Sequence, residues 1–261
     1  MILFLGILPI ELLWGASNRK LFSWVWWNDF LHLAKNIPVA ILIGMTTFSL
    51  PNAPFPALSD LHAGLVGFVF GLPLPLQIFL ILFITDFYYY WIHRLAHTYN
   101  WLWFTHSVHH SIKKVDWLGG LRIHVIDHAV FRIGQAYLYL LIGFSPSAVG
   151  TAMIVVPLYS SLLHLNIPWR IKFLESILAT PFFHHWHHEI EFGNRKNYSN
   201  LFPVIDKLFG TLYLPKDWPK EVGIKDHPVS DYIVPQFFYP FVQWFKLLRP
   251  NKKASISTRS I

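Results

Sequence analysis

The chain has 261 residues, 54% of them apolar and only 13% charged, with a formal net charge of +7 and no cysteine. So few charges point to a membrane protein rather than a soluble domain, and the lack of cysteine excludes disulfides, iron–sulfur clusters and thiolate metal sites. No basic helix or arginine-rich patch with interleaved aromatics appears, so the positive balance is read as membrane topology and attraction to anionic lipid, with no nucleic acid partner.

Residues 1–14 are apolar but short, contain Pro9 and Glu11, and lack a basic n-region or a small-residue cleavage site. They read as a partial span or an interfacial segment, not a signal peptide. Arg19, Lys20 and Lys35 flank Trp24, Trp26 and Trp27, a composition suited to the headgroup layer. A first span runs from near Ile37 through Leu50. The loop after it, PNAPFPALSD, holds three prolines and no Lys or Arg. A second run, Ala63 to Thr85, is free of charge and long enough for ~30 Å of hydrocarbon. Pro73 and Pro75 should divide it into a short helix and a longer one continuing toward His97.

The positive-inside rule then places 15–36 in the cytosol, 51–62 outside, and everything from about His93 onward back in the cytosol. Lys113, Lys114, Arg122, Arg170, Lys172, Arg195 and Lys196 agree with that placement. Ala129 to Leu163 carries one charge, Arg132, and is interrupted by GFSPS at 143–147. It reads as a helical hairpin, tilted or not fully crossing, that returns the chain to its starting side. Beyond residue 188 the chain turns polar and loop-like. Asp231 to Pro250 then mixes aromatics with Pro235, Pro240, Lys246 and Arg249, as a segment lying on the membrane does. No repeat and no linker divides the chain, so residues 1–261 are read as one integral-membrane domain.

Of the 15 histidines, 12 lie between positions 93 and 188. His93 and His97 are four apart, on one helical face. His106, His109 and His110 follow, and His184, His187 and His188 form a third cluster. Converging imidazoles without thiolates suit iron, zinc or copper, and eight are too many for one metal but about right for two. A lone histidine in an apolar helix is more often a satisfied polar group; three clusters on one membrane face have no comparable packing explanation. Asp86, Tyr90, His93 and His97 make a single stripe at spacings of 4, 3 and 4. Asp86 either accepts the free N–H of a ligating imidazole and fixes its tautomer, or is a solvated charge at the interface. No Glu-x-x-His, no dinucleotide fingerprint and no room for a haem domain are found, so the soluble carboxylate-type di-iron bundle is not available.

The order DFYYYWIHRLAH, WFTHSVHHS, TPFFHHWHHE, then NYSNLFPVIDKLFGT resembles the fatty acid hydroxylase and sterol desaturase superfamily over about residues 80–215. The resemblance implies an integral-membrane, non-haem di-iron centre that uses O2 to hydroxylate or desaturate a lipid of sterol, fatty acyl or alkylglycerol type. Its metal ligands carry over to His93, His97, His106, His109, His110, His184, His187 and His188. A His–Asn segment expected about twenty residues before the third cluster falls on His164 and Asn166, making His164 a candidate ninth ligand. The Arg-x-His-Pro-x-Glu of the superfamily reads Arg122-Ile-His124-Val-Ile-Asp127 here. That departure leaves His124 as ligand, neighbour of the ligands or support for the loop, with Asp127 beside it. His185 is expected next to the metal shell or exposed, and His32, His62, His128 and His227 are not expected to be ligands.

The expected fold is all-α: a four-helix-type membrane anchor capped by a cytosolic, histidine-rich di-metal domain, in a bacterial inner membrane or the endoplasmic reticulum. Trp101, Trp103, Phe104 and Trp117 either line a lipid path or belong to the aromatic belt. Oxidation by O2 needs two external electrons, so a separate reductase or carrier is implied; Lys113, Lys114, Arg195 and Lys196 either form its docking face or only obey the positive-inside rule. The rival readings are a histidine-rich metal transporter or storage protein and a non-catalytic lipid-binding member. Transporters hold ionisable ligands near the midplane, and the intact eight-histidine set argues against a degenerate binder.

Overall fold

The computed structural model of the protein describes residues 6, 8–15, 20–48, 59–191, 195–225 and 229–249. Most of the loop expected at 51–60, most of residues 1–7, and His227 lie outside them. The described residues form helices α1 (Leu8–Trp14), α2 (Trp24–Phe48), α3 (Ser59–Phe70), α4 (Leu74–Thr98), α5 (Asn100–His110), α6 (Val125–Ile142), α7 (Pro146–Leu163), α8 (Pro181–His187), α9 (Pro203–Leu208) and α10 (Ile233–Leu248). The one β pairing among them is an isolated bridge between Glu189 and Val222.

The apolar run from Ala63 divides where its prolines require. Pro73 precedes α4 and Pro75 sits in its first turn, where no N–H is needed. Buried Gln77 closes the break. Its amide donates to the carbonyls of Phe70 (3.1 Å) and Leu72 (2.8 Å), ending α3. Its oxygen accepts the N–H of Ser145 at 2.9 Å, which pins the α6–α7 turn beside the start of α4. Gly143 makes that turn with φ 82°, and a Cβ there would stand 2.7 Å from Val66 of α3. Val69, Ile81, Tyr139, Phe144, Ala148 and Ala152 pack around it. This is the end of the bundle opposite the histidines, and α3 packs against α6 there.

Helices α4, α6 and α7 are each long and apolar enough to cross a membrane. Helix α2 packs along α6 and starts earlier than expected. Its second half exposes Ile37, Ile41, Leu42 and Met45, side chains that suit lipid. Its first half carries the polar side chains Asn28, Asp29, His32 and Lys35 and packs at the histidine end. There Asp29 takes a 2.6 Å bond from the fully buried Arg122, and His32 meets Gln236 of α10. Helix α10 covers this end. Trp244 donates to the carbonyl of Trp101 at 2.9 Å, while Phe238, Phe241 and Phe245 face outward, as an interfacial helix requires. The described part of the first apolar segment forms the seven-residue α1. Its Glu11 carboxylate accepts the N–H groups of Trp117 and Asn166, which accounts for an acid in an apolar segment.

Candidate metal centre

Four chain segments meet at the histidine end. The last two turns of α4 bring His93 and His97. Tyr99, extended at φ −102° and ψ 123°, turns the chain into α5, which brings His106, His109 and His110. His164 is the C-cap of α7. Helix α8, started by the Thr180 hydroxyl and Pro181, brings His184 and His187, and His188 caps it. All nine are buried, none more than 5% exposed.

They sort into two groups, each with its ring nitrogens within 4.8 Å of one another: His93, His97, His106, His110 and His187, and then His109, His164, His184 and His188. The helical period explains the sorting. Residues four apart share a face, so the pairs 93/97 and 106/110 enter the first group and 184/188 the second. The remaining histidine of each later cluster, His109 or His187, points to the other group. The groups adjoin, with the rings of His110 and His188 stacked at 4.4 Å.

The outer nitrogens fix which way the inner ones face. Nδ1 of His93 lies 2.7 Å from the carbonyl oxygen of Tyr198, that of His187 2.7 Å from Lys196, and that of His164 2.7 Å from Ser160. Nδ1 of His106 lies 3.1 Å from the carboxylate of Asp127. Oxygens of these kinds only accept, so each Nδ1 carries the proton and each Nε2 turns a lone pair inward. Within the first group the Nε2 atoms of His93, His97 and His106 are buried without a partner, and those of His110 and His187 stand 3.0 Å apart. In the second group His184 Nε2 lies 2.9 Å from His164 and 3.2 Å from His188, and His109 lies 3.2 Å from His164.

Unpaired buried acceptors cost roughly 1–3 kcal/mol each. Lone pairs facing one another gain nothing without a cation between them. Two nitrogens at right angles and about 2.1 Å from one ion stand about 3.0 Å apart, which is the spacing seen. The donor set, neutral nitrogens with no thiolate, fits a divalent first-row metal in each group.

Burial favours the neutral form of His109, His110, His184, His187 and His188. It pulls His187 down to about 3 against its bond to the Lys196 carbonyl, and His185 down to about 4. His109, His110, His184 and His188 are held well below the ordinary range, first by burial and then by neighbouring imidazoles. A group titrating near 6.5 in the unfolded chain and near 3–4 in the folded one binds more protons when unfolded. Its contribution is complete above about pH 6.5 and is lost toward pH 4, at about 1.4 kcal/mol per group per pH unit. Metal-stripped protein should therefore melt well below its pH 7.5 temperature when held at pH 5.5. An equal or higher melting temperature at pH 5.5 would contradict buried neutral imidazoles.

The other expected residues are placed as follows. Asp86 touches no imidazole and is not a solvated charge: it is fully buried and accepts the N–H groups of Asn200, Leu201 and Phe202 at 2.6, 3.0 and 2.6 Å. The carboxylate beside a histidine is instead Asp127. Tyr90 bonds Thr211 and Arg94. His124 caps α6, its Nδ1 accepting from Ile126, and its Nε2 meets the Phe237 carbonyl, so of its three readings it supports the loop. Asn166 donates its N–H to Glu11. His185 is buried outside both groups, its ring 4.5 Å from Trp218 and its Nδ1 on the Pro181 carbonyl. A small cavity reaches both groups between α4, α6 and α7. Trp101, Trp103, Phe104 and Trp117 are not in its lining; Trp103 instead packs on His97 and His110.

Residues 195–213 form a strap whose part the sequence reading missed. Its Lys196 and Tyr198 carbonyls orient His187 and His93. Asn197, at φ 58°, ties it down by donating to Phe183 and Tyr213 and accepting from Tyr213. Asp206 accepts the N–H groups of Tyr198 and Ser199. The signal was the density of Asn, Asp and Ser in NYSNLFPVID, residues that bind backbone in tight loops.

Fold and site together define a membrane protein with two buried histidine groups that could each hold a metal ion. A profile of the fatty acid hydroxylase family matches residues 78–211, and the chain belongs to that family. It is 33% identical over 250 residues to the ornithine lipid hydroxylase OlsE of Rhizobium tropici, covering 92% of this chain and 71% of that one. It is 32% identical over 162 residues to alkylglycerol monooxygenase of Homo sapiens, covering 61% and 36%. A putative methylsterol monooxygenase of Dictyostelium discoideum is 28% identical over 155 residues, covering 56% and 57%. No solved structure matches. Like these relatives the chain is an oxidoreductase, and its histidine groups fit a centre of the di-iron type.

Proposed function

We propose that this chain is an O2-dependent di-iron enzyme that hydroxylates or desaturates a lipid at the cytosolic face of a membrane, with electrons from a separate donor. The observation that carries the reading is the sorting of nine histidines into groups of five and four whose inner nitrogens face one another. The nine histidines are the metal ligands in this proposal. Two bound irons would supply O2 activation and C–H oxidation, for hydroxylation RH + O2 + 2e⁻ + 2H⁺ → ROH + H2O.

The chain's own residues do the rest. Asp127 and the carbonyls of Tyr198, Lys196 and Ser160 hold the Nδ1 protons outward, which keeps the Nε2 lone pairs aimed inward. Burial of all nine rings excludes bulk water, and the cavity between α4, α6 and α7, which borders both histidine groups, is where the lipid would be held. The relatives named for ornithine lipid, alkylglycerol and methylsterol support a lipid substrate.

Two measurements test this. Purified protein should carry two irons per chain, and lipids from cells with the gene should gain one oxygen or lose two hydrogens relative to cells without it. Zinc in place of iron, with no lipid change, would favour metal storage or transport. Purified protein given O2, lipid and NAD(P)H alone should not turn over, and a membrane fraction or reductase should restore the reaction. Lys113, which is exposed, belongs to the proposed basic docking face, so added salt should slow the restored reaction.

Orientation is tested by labelling, since the chain has no native cysteine. Lys113→Cys, at the histidine end, should react from the cytosolic side, and Ser147→Cys, at the exposed α6–α7 turn, from the other. The reverse pattern would invert the topology.

A further inference from the structure

The cavity beside the histidines carries a charge that neither the fold nor the metal centre uses. One side of it is His106, His109 and His164; the other includes Tyr89, His128 and Arg132. Arg132 lies seven residues into α6, a helix long and apolar enough to span. A guanidinium does not discharge, and a cation inside a span is costly and ordinarily paired. Arg132 donates to Gln135 Oε1 at 2.9 Å, and no carboxylate of the described residues forms an ion pair with it. Asp127, the one acid in the lining, is already committed to His106 and Thr105. No other hydrogen bond of the Arg132 guanidinium is seen among the described residues, so its remaining donors are open to a ligand.

Its neighbours point the same way. His128 stands one turn earlier on the same face, and its Nδ1 is buried without a partner. Tyr89 packs its ring on His93 and Phe131 and brings a phenol into the cavity. Lys35 of α2 bonds the carbonyl of Ile123, another lining residue. On the side away from the histidine groups the cavity thus holds the Arg132 guanidinium among hydrogen-bonding groups.

We propose that this cavity is the head-group site of the lipid substrate, and that it takes an anionic group, a carboxylate or phosphate, on the Arg132 guanidinium, with Tyr89 and His128 as further hydrogen-bonding partners. The proposal rests on the lipid oxygenase reading and narrows its substrate to a lipid with an anionic head. The planar fork of Arg132 matches two oxygens of such a group. A neutral lipid would leave the charge unpaired, and that penalty provides the discrimination. Asp127 and Arg132 are five residues apart, about 7.5 Å along the helix axis, so an anionic group on Arg132 sits close to the histidines and not at the far end of the bundle.

Purified, metal-loaded protein, stripped of lipid in detergent, is offered dioleoyl phosphatidic acid or dioleoylglycerol, which share chains and differ in the phosphate. Native mass spectrometry reads the lipid retained, and metal content is measured on the same samples. Wild type should retain phosphatidic acid about 10-fold better or more. Arg132→Gln should lose the preference and Arg132→Lys keep part of it, with metal content unchanged in both. Inorganic phosphate at the same concentration should not displace the lipid. Equal retention of the two lipids by wild type overturns the proposal, whether or not Arg132→Gln folds. An undiminished preference in folded Arg132→Gln, or displacement by inorganic phosphate, which would assign the site to a free anion, overturns it as well. Wild-type protein that takes up no metal would defeat the oxygenase reading, and the lipid comparison would still report on the cavity.

Discussion

His187→Ala should leave the protein without turnover and with about half its iron, whereas His185→Ala, two residues away, should keep both metals. His187 belongs to the group of five, its Nε2 is 3.0 Å from that of His110, and its Nδ1 is anchored on the Lys196 carbonyl. In the proposed centre, alanine removes one ligand from a buried group of five. The remaining four imidazoles of the group would have to hold the ion with one position open. His185 is equally buried, so its removal is not silent. Its ring fills space against Trp218, and the cavity left behind should cost about 1–3 kcal/mol of stability, read as a lower melting temperature. The two variants thus separate metal loss from destabilisation. Metal analysis and thermal melting on the same preparations provide both readouts. If His185→Ala lost iron as His187→Ala does, the assignment of the third cluster would be wrong by its register.

The helical period made much of this centre legible. Pairs four apart, 93/97, 106/110 and 184/188, announce shared faces, and each pair does enter one group. What the period could not say is which group each pair faces, because that depends on how α5 and α8 cross α4. The extended Tyr99 and the caps at Thr180 and His164 set those crossings. The membrane helices were legible for a similar reason. Pro73 and Pro75 have only one low-cost place in a helix, the first turn, and the chain puts the end of α3 and the start of α4 there.

Asp86 marks the limit of such reading. It shares a face with His93 and His97, as its spacing requires, yet its partners come from residues 200–202, far away in sequence. A stripe on one helix says which residues look the same way and nothing about what they meet. Asp127 was placed beside the site only through a degenerate motif, and its contact with His106 needed α5 and α6 to be brought together. The strap shows the same thing. Its two orienting carbonyls belong to the backbone, and backbone groups leave no residue-type signature.

That distinction gives a second pair of variants with opposite failures. Asp127→Ala removes the acceptor of the His106 Nδ1 proton, at 3.1 Å. The ring then loses its fixed tautomer, and loss of such an orienting partner typically weakens metal affinity about 10–100-fold. The fold should survive, because the other hydrogen bond Asp127 receives among the described residues is a long, 3.5 Å one from Thr105. Asp86→Ala fails the other way. It strands three buried N–H groups, each costing roughly 1–3 kcal/mol, against a total stability of about 5–15 kcal/mol for a typical protein. Most of that chain should fail to accumulate as folded protein, and what does fold should melt far below wild type. Asp86→Asn, which keeps one acceptor oxygen, should fall between. A chelator titration of the bound metal, run beside a thermal melt, distinguishes the two carboxylates. Asp127→Ala holding metal as tightly as wild type would remove Asp127 from the centre. Asp86→Ala that melts normally but releases its metal would mean that Asp86 acts on the histidines after all, through the strap and the Tyr198 carbonyl on His93.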